Sequence, residues 1–225
     1  LFLKLSFIAE YNPHIEPNNS YANLNFVSPE ASSTGEVLFG LMKEMGWKIS
    51  LNTATALYTA ILTDTGSFRF DNTGTKAFQY ASEMVEIGVK PSEIYKNCYE
   101  SNSKELVQFQ AYCLSKAIFE NNNKIAFTLI YKKDIEKFNV GDDCTEGLAE
   151  KLRAIVTTDV AFIVKQIGTN ISKISMRSKI VDVAEICSVF GGGGHQQAAG
   201  CVIKSNPEEA AKRILEEIRK RNVWQ

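Results

Sequence analysis

The chain has 225 residues, of which 44% are hydrophobic, and a formal net charge of −1. Because domains typically contain about 100–150 residues, this length predicts two domains. No stretch approaches the roughly 18–20 uninterrupted apolar residues of a membrane span, and the first residues lack the pattern of a cleaved signal peptide, so we expect a cytoplasmic protein without a membrane partner. The five scattered cysteines form no C-x-x-C pair, which argues against a disulfide framework or a zinc knuckle.

Charge is divided unevenly along the chain. Residues 151–225 contain 12 Lys and Arg against 7 Asp and Glu, whereas residues 1–150 contain 13 against 19. This distribution indicates an acidic front half that suits metal binding and a mildly basic back half.

The front half is predicted to be mainly helical. The first helix begins at Ser33-x-x-Glu36, a capping-box spacing, and ends at Gly46. A second, buried helix stops at Asp64, and the SFRF segment shortly after it is predicted to be extended. Two more helices follow, the second with Pro91 in its first turn.

The back half is predicted to be an α+β module with a mixed or antiparallel sheet. One helix is expected over Ser103–Glu120, and the asparagine-rich turn after it places a domain boundary near 115–123. The elements expected beyond it are a strand in IAFTLIY, a helix in CTEGLAEKLRAI, strands in VAFIVKQIG and ISKISMRS, a helix in IVDVAEICSVF, a strand in AAGCVI and a terminal helix.

The stretch VFGGGGHQQAAGCVI allows two interpretations, a linker or a binding loop. Its four glycines, Gly191–Gly194, join an apolar helix end to an apolar strand, which is unusual for a linker. Consecutive glycines let backbone N–H groups converge on an anion, and His195 can add a hydrogen-bond donor or a stacking face. We therefore interpret the run as a phosphate-binding loop, although no Gly-Lys-Ser/Thr follows it, which excludes a P-loop.

Five further residues carry polar side chains of ambiguous role. Asp64, between an apolar helix and a glycine turn, either binds a cation or closes an Asx turn. Arg69 is either an anion clamp or an edge residue with an exposed head group. Arg177 and Ser178 lie at the end of a strand shortly before the glycine run. They either form part of a phosphate site or are polar residues of an ordinary exposed strand end. His14, in a Pro- and Asn-rich loop, is by local sequence more typical of a structural or exposed histidine.

Six segments along the chain together resemble one known family. They are NFVSPEASSTGE, ATALYTAILTDTGSFRFDNT, PSEIY, EGLAEKLRAI, ISMRSK and FGGGGHQQAAG. In this order they resemble the DHH phosphoesterases, which are named for an Asp-His-His motif and carry a DHH-associated C-terminal domain. The resemblance is strongest to members of the nanoRNase type, which act as oligoribonucleases and as phosphatases of 3′-phosphoadenosine-5′-phosphate (pAp).

The resemblance implies a two-domain fold that combines α/β and α+β parts. Residues 1–115 would be the C-terminal portion of the DHH domain, mostly helical as present here, ending in a connecting helix at about 103–120. Residues 124–225 would be the DHH-associated, substrate-binding domain with a mixed sheet. The intact family holds two Mn²⁺ ions in the first domain and acts on short RNA oligonucleotides and pAp. A homodimer is also expected, because a front domain without its first strands exposes apolar surface.

Matched residue by residue, the resemblance assigns catalysis and metal binding to Asp64 and His14. It assigns substrate binding to Ser33, Arg69, Arg177, Ser178, Gly192, Gly193, Gly194 and His195.

The chain departs from the family at the motif for which the family is named. Asn12-Pro13-His14 stands where Asp-His-His is expected, and the two earlier aspartate motifs do not precede it. Two candidate ligands are too few for two ions, so we expect this chain by itself to be an inactive portion of a phosphoesterase. The alternatives are a non-catalytic nucleotide- or RNA-binding remnant, and a DHH phosphodiesterase acting on cyclic dinucleotides or single-stranded DNA.

Overall fold

A computed structural model describes residue 28, residues 30–221 and residue 224. The chain divides into two compact units, Leu1–Ser101 and Asn102–Gln225. The helix expected to connect the domains packs in the second unit, where Phe109 and Cys113 are buried. The domain ranges derived from the family resemblance stay predictions. Within the described residues, none of the helices is both long enough and apolar enough to cross a membrane.

The described part of the first unit is helical, as predicted. Its helices are α1 (Thr34–Glu44), α2 (Leu51–Asp64), α3 (Thr75–Ile87) and α4 (Pro91–Tyr99). The core between them contains the fully buried side chains of Phe39, Ile61 and Met84, one each from α1, α2 and α3. Burial of such large apolar groups is the main force that holds short helices together.

The start of α1 forms much as its sequence predicts. Ser33 Oγ accepts a hydrogen bond from the N–H of Glu36 at 3.1 Å. The Glu36 carboxylate does not close the capping box on Ser33 but accepts from the N–H and the hydroxyl of Ser32, at 3.0 and 2.6 Å. The helix ends before Gly46, whose φ of +67° is the left-handed conformation that glycine adopts readily.

The SFRF segment after α2 is a tight turn, so the prediction of an extended segment was wrong. Ser67 and Phe68 have φ values of 63° and 62°, and the N–H groups of Arg69 and Phe70 bond to the carbonyl of Thr65. The buried Thr65 hydroxyl also accepts from the N–H of Phe68 at 3.0 Å. Hydrogen bonds centred on this one threonine therefore override the extended preference of the two phenylalanines.

The second unit is an α+β module with a six-stranded mixed sheet, which confirms the predicted fold class. The strand order is β1-β2-β3-β4-β6-β5; β2 and β3 are parallel and the other neighbours are antiparallel. The strands are β1 (Ile118–Glu120), β2 (Ile125–Ile130), β3 (Val160–Gly168), β4 (Ile171–Ser178), β5 (Gly193–His195) and β6 (Ala198–Ile203). The helices are α5 (Lys104–Ser115), α6 (Lys132–Phe138), α7 (Leu148–Arg153), α8 (Val183–Ser188) and α9 (Pro207–Lys220).

Several predicted boundaries in this unit were wrong. The helix expected to run to Glu120 ends at Ser115, because the following residues form β1 and pair with β2 across the asparagine turn. The helix expected in CTEGLAEKLRAI begins only after Gly147, whose φ is +75°. The sequence interpretation also missed α6 and β5, and the helix expected in IVDVAEICSVF is confined to Val183–Ser188.

Helices cover the two faces of the sheet differently. On one face, Phe162 and Met176 pack against Ile214 of α9, and α8 lies in the same core. On the other face, Ile163 of β3 packs against α5 and α7 in a second core. Alternate residues of β4 and β6 are fully buried, and the residues between them are half-buried or exposed. The second face is therefore accessible along β4 and β6.

A close approach between the glycine run and β6 leads to a test of the fold. A Cβ on Gly192 would lie 2.2 Å from the carbonyl oxygen of Gly200 and 2.5 Å from Cys201 Cβ, whereas a Cβ on Gly193 would meet nothing within 4 Å. We predict that Gly192→Ala lowers the free energy of unfolding by about 1–3 kcal/mol through overpacking. The matched control Gly193→Ala should stay within about 0.5 kcal/mol of the wild type. Urea unfolding followed by circular dichroism measures both, and equal effects would contradict this packing.

Candidate functional site

The register of the sheet places Arg177 and His195 on one row. Arg177 of β4 is directly opposite Ala198 of β6, and Ala198 is directly opposite His195 of β5. Directly opposite residues share a face of the sheet, so both side chains project from the same face, about 10 Å apart across two strand spacings. The small Ala198 between them leaves room for a ligand.

Two more rows continue this surface along β4. Ser175 lies opposite Gly200, which lies opposite Gly193, and Lys173 lies opposite Val202. We call this surface the open face; it consists of Lys173, Ser175, Arg177, Gly193, His195, Ala198, Gly200 and Val202, all half-buried or exposed. It is a floor of small side chains with cationic or polar groups around it, which suits an anionic ligand.

Arg177 is partly neutralised by a carboxylate. Its Nε donates to Glu150 Oε1 of α7 at 2.6 Å, and its Nη1 donates to the carbonyl of Met176 at 2.8 Å. These bonds use two of the five N–H donors of a guanidinium, so they fix the group in place and leave donors for a ligand. Local sequence carries no signal for this pair, because 27 residues separate the two partners.

Ser178, although adjacent to Arg177, is not on the open face. It is fully buried, and its Oγ accepts from the N–H groups of Ile180 and Val181 at 3.1 and 2.7 Å. Successive residues of a strand point to opposite faces, so the geometry that exposes Arg177 buries Ser178. The serine closes the turn after β4, and the structure does not support a substrate contact by its side chain.

The glycine run is the end of a helix followed by an edge strand. The N–H groups of Gly191 and Gly192 donate to the carbonyls of Ser188 and Cys187 at 2.9 Å, so they close α8 and do not point at a common anion. These two N–H groups are therefore not available to an anion, and the assignment of Gly192, Gly193 and Gly194 to substrate binding stays a prediction. Gly193 and Gly194 form β5 with His195, and all three residues are exposed.

In the first unit, Asn72 links Asp64, a predicted site position, to Ser32, the neighbour of the predicted Ser33. Its Nδ2 donates to the carbonyl of Asp64, the last residue of α2, at 3.1 Å and to the carbonyl of Ser32 at 3.2 Å. The C-terminal end of α2 and the start of α1 are thus held in one part of the unit. Ser33 is also here, but it is buried and its hydroxyl caps α1. Sequence reasoning missed Asn72, which lies 40 residues from Ser32.

The residues that the structure describes around Asp64 do not by themselves complete a metal site. Arg69 is exposed, and its Nε donates to the carbonyl of Gly66 at 2.7 Å within the turn after α2. The predicted ligand His14 lies outside the described residues. Asp64 offers an oxygen donor of the type that Mn²⁺ accepts, but residues 28, 30–221 and 224 contain no group of three or more His, Cys, Asp or Glu that could hold a metal ion.

The predicted resemblance to the DHH family is confirmed by comparison with known proteins. Residues 121–222, which lie within the second unit, match the model of the DHHA1 domain. The chain is 30% identical over 218 residues to the bifunctional oligoribonuclease and PAP phosphatase NrnA of Bacillus subtilis, which covers 93% of this chain and 65% of that protein. It is 26% identical over 211 residues to NrnA of Thermus thermophilus, covering 92% of this chain and 62% of that protein.

A solved structure agrees with both units. The exopolyphosphatase-related protein from Bacteroides fragilis is 26% identical, with a TM-score of 0.87 over 95% of this chain and 63% of its own length. The chain thus spans slightly less than two thirds of the relatives and of the structure it matches.

The environment of Asp64 predicts how one substitution changes stability. Asp64 is exposed as a residue, but partial desolvation of its carboxyl raises the pKa above its ordinary value of 3.8, and the C-terminal end of a helix also disfavours negative charge. Just above pH 3.8 the folded state therefore binds more protons than the unfolded state, and stability falls as the pH rises through the folded pKa.

We predict that Asp64→Asn raises the free energy of unfolding near neutral pH, because it removes this charge, and that the gain disappears below pH 3.8. Thermal unfolding of the two proteins between about pH 3 and about pH 7 measures the difference. The same change at Asp71, another exposed aspartate of this unit, is the control. A variant less stable than the wild type at neutral pH would contradict the prediction.

Proposed function

We propose that this chain is part of a Mn²⁺-dependent phosphoesterase that hydrolyses short RNA oligonucleotides and pAp. The observation that carries the proposal is the similarity, over 93% of the chain, to a protein named as a bifunctional oligoribonuclease and PAP phosphatase. The open face of the second unit supports it, because Arg177 and His195 lie on one row with a small residue between them.

In this proposal the open face binds the nucleotide. Arg177, oriented by Glu150, donates its remaining N–H groups to a phosphate. His195 adds a donor or a stacking face for the base. The separation of about 10 Å across Ala198 allows a phosphate and a base of one nucleotide to contact the two residues.

The chemistry is assigned to Asp64 and His14 as metal ligands. Divalent ions held there would supply the activation of water and the stabilisation of the leaving oxygen of the phosphoester. The role of Asp64 is to provide one carboxylate ligand, and Asn72 holds the end of α2 that carries it. The raised pKa of Asp64 fits this role, since a cation would stabilise the charged form that burial disfavours.

A non-catalytic nucleotide- or RNA-binding module is the second candidate. It is favoured by Asn12-Pro13-His14 at the position of the Asp-His-His motif, since an amide and a proline replace two ligands. In this case the open face alone is retained, and binding does not require a metal.

Hydrolysis and binding together test the proposal. We predict that the chain of 225 residues binds pAp without Mn²⁺ but does not hydrolyse it. The protein translated from the complete reading frame should release phosphate from pAp and mononucleotides from a pentanucleotide when Mn²⁺ is present. Asp64→Asn should lower this hydrolysis by at least about 100-fold, whereas Asp71→Asn should leave it unchanged.

The outcomes separate the two candidates. If the longer protein binds pAp but hydrolyses neither substrate, the phosphoesterase proposal fails and the binding module is supported. If neither protein binds pAp, both candidates fail.

A further inference from the structure

Two lysines are directly opposite each other on neighbouring strands of the sheet. Lys165 of β3 pairs with Lys173 of β4, on the same side as Arg177. Like charges in this arrangement destabilise a sheet, so their presence requires compensation.

Only one of the two lysines is compensated by the described residues. Lys165 is buried; its Nζ donates to the carbonyl of Asp142 at 2.6 Å and lies 3.8 Å from the Asp142 carboxylate. Lys173 is exposed, and none of the residues described forms a hydrogen bond or an ion pair with its side-chain ammonium. Its ammonium is therefore available to an anion from outside the chain.

Lys173 stands at the far end of the open face from Arg177. The two residues are four positions apart on β4, which corresponds to about 13 Å at the rise of a strand. Ser175, Gly200 and Gly193 form the floor between them, where small side chains allow a polymer backbone to lie close to the sheet. Val202, directly opposite Lys173, adds an exposed apolar contact.

We propose that Lys173, next to Lys165, binds the phosphate of a second or later nucleotide of an RNA oligonucleotide. The RNA then extends along β4 and β6 from the row of Arg177 and His195 to the row of Lys173 and Val202. The inference rests on the proposed function, since it takes the first nucleotide to bind at Arg177 and His195. A contact at Lys173 would distinguish oligonucleotides from the mononucleotide pAp, because pAp bound at Arg177 and His195 would end before it reaches Lys173.

Binding of two ligands of different length tests the subsite. The chain of 225 residues, Lys173→Ala and Lys212→Ala are titrated with pAp and with a pentanucleotide RNA in the absence of metal. Lys212 is an exposed lysine of α9, which covers the opposite face of the sheet, and therefore serves as the matched control.

We expect Lys173→Ala to weaken pentanucleotide binding by at least about fivefold and to reduce the slope of log K against log salt by about 0.7, the value for one lost phosphate contact on a single strand. Affinity for pAp should change by less than about twofold, as should both affinities in Lys212→Ala. The melting temperature of Lys173→Ala should be equal to or above that of the wild type, because the opposed charges are separated.

The results that overturn the subsite are distinct from those that overturn the proposed function. If the wild type binds both ligands and Lys173→Ala binds the pentanucleotide equally well, or loses pAp to the same extent, the subsite is rejected and the proposed function stands. If the wild type binds neither ligand, both the subsite and the proposed role of the open face are rejected.

Discussion

The register of β4 with β6, and of β6 with β5, is the constraint on which the candidate binding surface depends. Arg177 and His195 share a face only because each is directly opposite Ala198. A slip of one residue would turn Arg177 into the core and expose its buried neighbours, at a large loss of apolar burial. Met176, fully buried beside α9, opposes such a slip. The close contact of Gly192 with β6 holds the start of β5 in place, so packing of the core determines the geometry of the open face.

Both units keep charged groups in positions that weaken the fold. Asp64 is at the C-terminal end of a helix, with its pKa raised by burial, and Lys173 is opposite another lysine. Arg177, in contrast, is held in place by its hydrogen bond to Glu150 and keeps N–H donors that Glu150 does not occupy. Groups that reduce stability and are held in defined positions are expected where a protein binds a ligand of opposite charge. A cation at Asp64 and a phosphate at Lys173 would each remove the loss of stability that the charge of that residue causes.

Local patterns in the sequence predict the parts of the fold that local interactions stabilise. The cap of α1 at Ser33 and the long strands β3 and β4 follow from capping chemistry and from apolar patterning. The short strands β1 and β5 were missed because pairing with a neighbour, and not their own residues, makes them strands. For the site, the sequence pattern indicated both Arg177 and Ser178. Only the structure of the sheet shows that Arg177 lies on the open face and that the adjacent Ser178 faces the core. The partners Glu150 and Asn72 carry no local signal, because their bonds join segments 27 and 40 residues apart.

The proposed binding of a nucleotide to the row of Arg177, Ala198 and His195 can be tested by chemical-shift perturbation in the ¹⁵N-labelled chain titrated with pAp. We expect the largest shifts at the backbone amides of this row and at the guanidinium of Arg177, with little change along α9 on the opposite face. Shifts concentrated on α9, or none at saturating pAp, would contradict it.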